Sequence, residues 1–534
     1  MTFRVERIFR NENGVFFFFS LLAISVFFVA KQALIRLPNY GAPVFIVSLG
    51  GAIFLGTTVG VRMRDLPQLM RIVFISLFAL FAVYLAFPKT LPSDISFPTL
   101  TGIHIYYGHW VLPGLCLLGF HRPAFGVLAL LLAISERLAL STLYGVSLSQ
   151  TEYFPICELA LFMLISAALL PAAHRFRYFS PLFTTVSQDA LGTLEKMALC
   201  AVAVHMSNYF YSGIKKWFLG ESPLSWVFEN QTHFLLLTSD ALGLSPLRMF
   251  PGLPEATFQA FDSVRVISNV LLFGGQLVAV LAVLRINWLA WITAFYDLMH
   301  IAIFLVTGIF FYKWITLNLA IVAGLVGLRQ KAMPRAFKLQ LVVIVLAAPL
   351  VFWVADLGWW DTRALNHERF YAVLDDGSEV EVPTNYWGSL SINYAQVRVT
   401  RGKAEGFFPT GTAGLIFGQS NMERANRCEY WFESEKSSAV LQRLVEAPDS
   451  HVIQNVLIHH RYVLEHVDAA GLIDYDLYPH HIWSMPWLFD EFKNLDKRRI
   501  QAYRYVVEAA CLGVKNGHFT RDVMTRGDYV ISVK

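Results

Sequence analysis

Asn208-Tyr209-Phe210-Tyr211-Ser212-Gly213-Ile214-Lys215-Lys216-Trp217 closes a mostly apolar run that begins near Met197. A lysine pair stands where a membrane helix leaves the bilayer. At about 100° per residue, His205, Asn208, Ser212 and Lys216 fall on one stripe, spaced i, i+3, i+7, i+11. A lipid-facing surface has no use for such a stripe. Polar groups are costly in hydrocarbon and turn toward the bundle interior or a wet cavity. The helix is therefore read as the wall of a site. The competing reading has both lysines snorkelling to the headgroups beside Trp217.

Outward from this helix the chain stays apolar. Of its 534 residues 55% are hydrophobic and 15% charged, well below the charge of an ordinary soluble domain. Further spans are predicted at 15–30, 42–61, 72–87, 102–120, 124–143, 153–170 and 267–284. Residues 288–328 hold two more with a break near Gly308, and 339–354 closes the set with a kink at Pro349. At ~20 residues per span this makes about eleven helices. Between the seventh and eighth, residues 222–254 carry Trp226, Phe228, Phe234 and several turn formers, which reads as an interfacial or re-entrant segment.

The expected fold class is an all-α polytopic membrane bundle, residues 1–357, followed by an extramembrane α+β domain, residues 358–534. In the second part Asp375-Asp376-Gly377 between two alternating stretches signals a hairpin. Residues 437–446, 452–466 and 490–511 read as helices. Basic residues in short loops favour one side about twofold, which puts the N-terminus in the cytoplasm. An odd span count then makes the C-terminal domain extracytoplasmic. There Cys428 and Cys511 are predicted to form a disulfide. The net charge of +4 is spread over the whole chain and does not suggest a nucleic-acid partner.

Ionisable residues inside spans are the candidates for chemistry. An inward Lys216 is a candidate base near neutral pH. Asp297 and His300 stand three apart in an apolar run, where the carboxylate either fixes the imidazole tautomer or each group binds a neighbouring helix. Glu136, Arg137 and Glu158 form a third group, with Arg137 expected to pair with Glu158. The C-terminal histidines lack the spacing of a zinc site, and no metal is predicted. Phosphate-binding loops, dinucleotide fingerprints and nucleophile elbows are missing from the sequence.

The stretch Tyr209-Phe210-Tyr211-Ser212-Gly213-Ile214-Lys215-Lys216 resembles the Tyr-Phe-x-x-Gly-x-Lys-Lys stretch of vitamin K-dependent gamma-carboxylase, within the horizontally transferred transmembrane (HTTM) group. His300 followed by Gly308-Ile309-Phe310 resembles a second helix of that group. Gln150-Thr151-Glu152-Tyr153 occupies the place of an Asn- and His-containing stretch and carries no His. The resemblance covers roughly residues 10–330 and leaves the C-terminal domain unmatched. It implies an outward-facing intramembrane site in which Lys216 is a base linked to oxidation of a quinol such as vitamin K hydroquinone. His205, Asp297 and His300 would support it, and Tyr209, Tyr211 and Trp217 would offer faces to a flat apolar ring. The function expected is a quinol- or lipid-directed membrane enzyme coupled to modification of a peptide outside the cytoplasm, with membrane lipids as surroundings. The alternatives are a scaffold or maturation factor for an exported peptide, with 430–432 and 483–489 as contact strips, or a transporter.

Overall fold

The computed structural model describes residues 12–36, 60–93, 95, 99–146, 148, 153–175, 189–329, 332–395, 415–416, 418–428, 450–477 and 479–533. Most of the predicted second span, the stretch 150–152, the predicted helix 437–446 and the aromatic strip 430–432 lie outside them.

Long apolar stretches become long helices because a buried backbone with no water must bond to itself. Glu12–Arg36, Gln68–Leu85, Thr99–Gly119, Pro123–Tyr144, Tyr153–Arg175, Ala190–Trp217 and Ile286–Thr307 are helical, followed by Tyr312–Val326 and Arg335–Ala347. Among the described residues, five helices are long and apolar enough to cross a membrane. The run 288–328 does break at Gly308, which ends the helix Ile286–Thr307. Pro349 ends the last bundle helix instead of kinking it: after a short turn at Ala348–Leu350 the chain has no regular secondary structure through residue 359. Residues 222–254 form short pieces, Ser225–Glu229, Phe234–Ala241 and Pro246–Met249, and no span.

The C-terminal part contains six described strands: β1 (Trp360–Asp361), β2 (Ala364–Leu374), β3 (Glu379–Val382), β4 (Leu415–Ile416), β5 (Ile500–Lys515) and β6 (His518–Ser532). The main sheet is antiparallel in the order β3-β2-β5-β6, and β1 pairs with β4. The predicted hairpin is β2–β3. The predicted helix at 490–511 is not formed: only Asp490–Lys493 is helical, and Ile500–Lys515 is a central strand. Tyr503, Tyr505, Val506 and Val507 suit a strand buried on both faces, and pairing on both edges outweighs the helical preference of Glu508-Ala509-Ala510. Cys428 and Cys511 are disulfide-bonded, with Cα atoms 5.9 Å apart.

The two parts share one apolar core, in which Tyr144, Trp226 and Phe273 of the first pack with Trp360, Phe370 and Trp387 of the second. The turn at Gly308 is held from outside by residues 481–483: Phe310 N donates to His481 O (2.8 Å) and Trp483 N to Gly308 O (3.1 Å). Part of the predicted contact strip 483–489 is thus used against the bundle.

Candidate functional site

The helix Ala190–Trp217, hereafter the lysine helix, starts on Asp189, whose carboxylate accepts from Gly192 N (3.1 Å). Gly213 lets it approach the helix Arg265–Leu277 closely. A Cβ at that position would lie 3.0 Å from Leu277 Cδ2 and 3.2 Å from Gln276 Cβ. This approach brings Gln276 beside Lys216.

The helix turns its two lysines to different places. Lys216 is 9% exposed. Its Nζ donates to Leu357 O (2.7 Å), Gln276 Oε1 (3.0 Å) and Ser212 O (3.3 Å) and lies 5.3 Å from the centre of a Trp226 ring. Lys215 is half-exposed and meets Asp356 Oδ2 at 3.3 Å.

The polar stripe faces residues 351–361, the segment that connects the bundle to the sheet. Along it every second residue is held by a side chain. Lys31 Nζ donates to Val351 O (2.9 Å), and Trp353 N to Glu158 Oε2 (2.6 Å). Ala355 N donates to Asn208 Oδ1 (2.9 Å) and Leu357 N to Ser212 Oγ (3.0 Å). Trp226 Nε1 donates to Trp359 O (2.7 Å), and Asp361 N to Asn230 Oδ1 (2.8 Å). Four residues of helix rise ~6.0 Å and two residues of extended chain ~6.6 Å, so Asn208, Ser212 and Lys216 keep step with Ala355 and Leu357. Irregular backbone beside a bundle needs such partners, because each unmet group costs on the order of 1–3 kcal/mol. We call 351–359 the strap. Gly358 lets it pass over the lysine pair, since a Cβ there would stand 2.6 Å from Lys215 Cγ and 3.1 Å from Lys216 N.

Glu158 is therefore not Arg137's partner, contrary to expectation. It pairs with Lys31 (2.7 Å), while Arg137 lies over the Tyr153 ring (4.8 Å) and Glu136 pairs with Lys89 (2.6 Å).

His205, Asp297 and His300 belong to a second cluster. Asn318 is its hub: His205 Nε2 donates to Asn318 Oδ1 (2.8 Å), and Asn318 Nδ2 donates to Tyr209 OH (2.9 Å) and Asp297 Oδ1 (2.8 Å). Tyr209 stacks on Tyr296 with centroids 3.6 Å apart, and Trp314 lies edge-on to His205, Tyr209 and His300. Asp297 Oδ2 and Trp314 Nε1 are buried with no hydrogen-bond partner among the described residues. His205 stands roughly 16 Å along the helix from Lys216, at 1.5 Å per residue. The structure thus brings His205, Asp297, His300 and Tyr209 together and leaves Lys216 apart. Tyr211 points elsewhere, its OH on Leu346 O (2.5 Å), and Trp217 is exposed beside Phe273. The three aromatic residues expected at a flat ring do not line one space.

Asn318, Gln276, Asn230 and Asp361 were absent from the sequence reading. A lone Asn within the apolar helix Tyr312–Val326 was signal enough for Asn318. Asp361 is buried, with Oδ2 accepting from Asn230 Nδ2 (2.8 Å) and Oδ1 from Trp359 Nε1 (3.1 Å). Burial pushes its carboxyl up to about 7, against the opposing pull of those two donors and of the Lys216 charge. Among the described residues no group of three or more His, Cys, Asp or Glu is placed to hold a metal ion. No family model, curated protein or solved structure matches this chain.

Proposed function

We propose that this is a multi-pass membrane protein of about eleven spans, with a cytoplasmic N-terminus and an extracytoplasmic C-terminal domain, in which Lys216 is the base of an enzyme similar to vitamin K-dependent gamma-carboxylase. Its substrate would be a quinol, such as vitamin K hydroquinone, or a lipid, with turnover coupled to modification of a peptide. The observation that carries this reading is the Lys216 amine, buried over the Trp226 ring with three oxygen acceptors, none of them a carboxylate.

Three acceptors match the three N–H bonds of an ammonium and leave no lone pair. The arrangement described is therefore that of the conjugate acid. To act as a base, the ammonium must first release one proton to water and let go of one acceptor. Leu357 O is the one carried by the strap, so base function requires the strap to shift there. The His205–Asn318–Asp297 cluster would act separately, lower in the same helix bundle.

The test is consumption of a reduced quinol by the purified chain. Lys216→Met is expected to abolish it and Lys215→Met to leave at least half, with both variants folded by thermal stability in detergent. Equal rates for both variants would remove the base.

A second reading rests on the strap itself. Asn208, Ser212 and Lys216 are all spent on its backbone, which is what a scaffold needs to fix an outer domain on a bundle. Under that reading no quinol is consumed, and Lys216→Met loosens the outer domain.

A further inference from the structure

Lys216 has no acid among its hydrogen-bond partners, yet a buried acid stands in its electrostatic reach. Asp361 and Lys216 each act on the other's charge. The link between them is built, not incidental. Trp226 lies under the Lys216 amine, and its Nε1 holds Trp359 O; Trp359 Nε1 in turn holds Asp361 Oδ1. Asn230 clamps the other side of Asp361: its Nδ2 donates a hydrogen bond to Oδ2, and its Oδ1 accepts one from the Asp361 backbone N. Asn230 is itself fixed, since Asn269 Nδ2 donates to Asn230 O (3.0 Å). A side chain held by that many neighbours cannot swing to solvent when it ionises.

We propose that Asp361 is a positioning residue for Lys216: its carboxylate is the counter-charge that keeps the amine protonated while the strap is seated. The inference rests on the proposed role of Lys216 and deepens it. Asp361 lies in β1, which pairs with β4 through Trp360 and Ile416. The counter-charge is thus delivered by the outer domain. Seating that domain holds the ammonium, and lifting the strap removes both Leu357 O and the counter-charge, so that the ammonium releases its proton to entering water and the neutral amine left behind can act as the base. Other charged groups near the pair are Lys215 on the lysine helix, Asp356 on the strap, and Glu229, whose Oε2 accepts from Gln419 Nε2 (2.5 Å). Lys215 and Asp356 face solvent and each other, and Glu229 is bound to an amide, so Asp361 is the acid committed to Lys216.

The coupling is reciprocal: whatever Asp361 does to the affinity of Lys216 for a proton, Lys216 does to Asp361. It can be read without turnover, from the protonated-carboxyl stretch in pH-difference infrared spectra of the full chain. The Asp361 band is identified by its loss in Asp361→Asn. Should that variant fail to fold, Trp359→Phe identifies it, because removing one donor moves the band and raises its midpoint. Lys216→Met is expected to raise the midpoint of this band by about one pH unit or more, a tenfold change in proton affinity. Lys215→Met is expected to leave it in place. An Asp361 band with the same midpoint in Lys216→Met overturns the proposal. The outcome is separable from the base reading: a coupled band without quinol consumption removes the enzyme and keeps the pair. Quinol consumption that depends on Lys216 beside an uncoupled band does the reverse.

Discussion

Lys216 in the bundle and Lys497 in the outer domain are both buried, both lie near an aromatic ring, and both have three oxygen acceptors around the amine. They differ in where the acceptors come from. Lys497 Nζ donates to Phe492 O (2.7 Å), Leu495 O (2.8 Å) and Lys493 O (3.5 Å), all carbonyls within five residues of its own chain position. It closes the end of the short helix Asp490–Lys493, where Phe492 O also accepts from Leu495 N (3.2 Å). The acceptors of Lys216 come from its own helix, from Gln276 on a second helix and from the strap, with Asp361 behind them. The same local count of bonds therefore serves two purposes. A lysine fed by neighbouring carbonyls is a knot that can only be tied or untied. A lysine fed by three separate elements changes its environment when any one of them moves.

The largest effect expected from this contrast is on stability, and at Lys497. Lys497→Met keeps the length and removes three N–H···O contacts from a site with no exposure, at on the order of 3 kcal/mol. Thermal unfolding in detergent should show a lowered midpoint for Lys497→Met and a smaller drop for Lys216→Met. An equal or larger drop at Lys216 would make it a structural knot as well and favour the scaffold.

Next in size is the strap. Ser212→Ala removes the acceptor of Leu357 N, and Asn208→Ala that of Ala355 N. Each orphaned amide should weaken the seat by about 1–3 kcal/mol. Hydrogen exchange reads this locally: the amides of Ala355 and Leu357 should exchange tenfold faster or more, with those of β2 unchanged. Unchanged exchange at both would mean the strap is held by its ends alone, at Glu158 and Asn230.

How much of this was legible beforehand follows from the range of the contacts. Helices set by long apolar runs, the break at Gly308 and the hairpin at Asp375-Asp376-Gly377 are local, and the sequence shows them. The inward turn of Lys216 is also local, since one helix carries the whole stripe. The strap is not, because its partners Lys31, Glu158, Asn208, Trp226 and Asn230 sit on separate segments and none is near residues 351–361 in the chain. Each is a single side chain in or beside an apolar run, and nothing local to any one of them shows that together they satisfy one extended backbone. β5 was misread for the same reason: its pairing with β2 and β6 lies over a hundred residues away on one side and across a tight turn on the other.

A third expected effect separates the two parts by pH. Burial holds His459 down to about 3 and His460 down to about 4, both neutral inside the outer domain. The unfolded chain binds protons from about pH 6.5 downward, and the folded one does not until those lower values. Between about pH 6.5 and 4 the unfolded state therefore carries more protons, and stability falls as the pH is lowered. The slope is about 1 kcal/mol per histidine per pH unit. Asp361 works the other way, since its raised value contributes stability in acid that is lost as pH rises through about 7. Tryptophan fluorescence during unfolding at about pH 7.5 and 5.5 should show a net loss in acid, set by these two histidines together with His367 and His480, which burial also holds down. The loss should shrink in His460→Gln, which retains a hydrogen-bonding group for Tyr503 OH. An unchanged loss would assign it to other groups.

The smallest effect belongs to Lys215, and its smallness is informative. Its partner Asp356 is 65% exposed, and Lys215 itself is 42% exposed. An ion pair in that much water is worth at most about 1 kcal/mol, because solvent screens both charges and two long side chains lose freedom to meet. Yet Asp356 lies between Ala355 and Leu357, the two strap residues held by the stripe. If the pair helped to seat the strap, Lys215→Met would quicken amide exchange at Leu357 as Ser212→Ala does. The geometry gives that work to buried groups, so exchange at Leu357 in Lys215→Met should stay within about twofold of the original chain, as for a surface pair of this strength. A rise comparable to Ser212→Ala would mean that both lysines clamp the strap, and the contrast between an inward and an outward lysine would no longer hold.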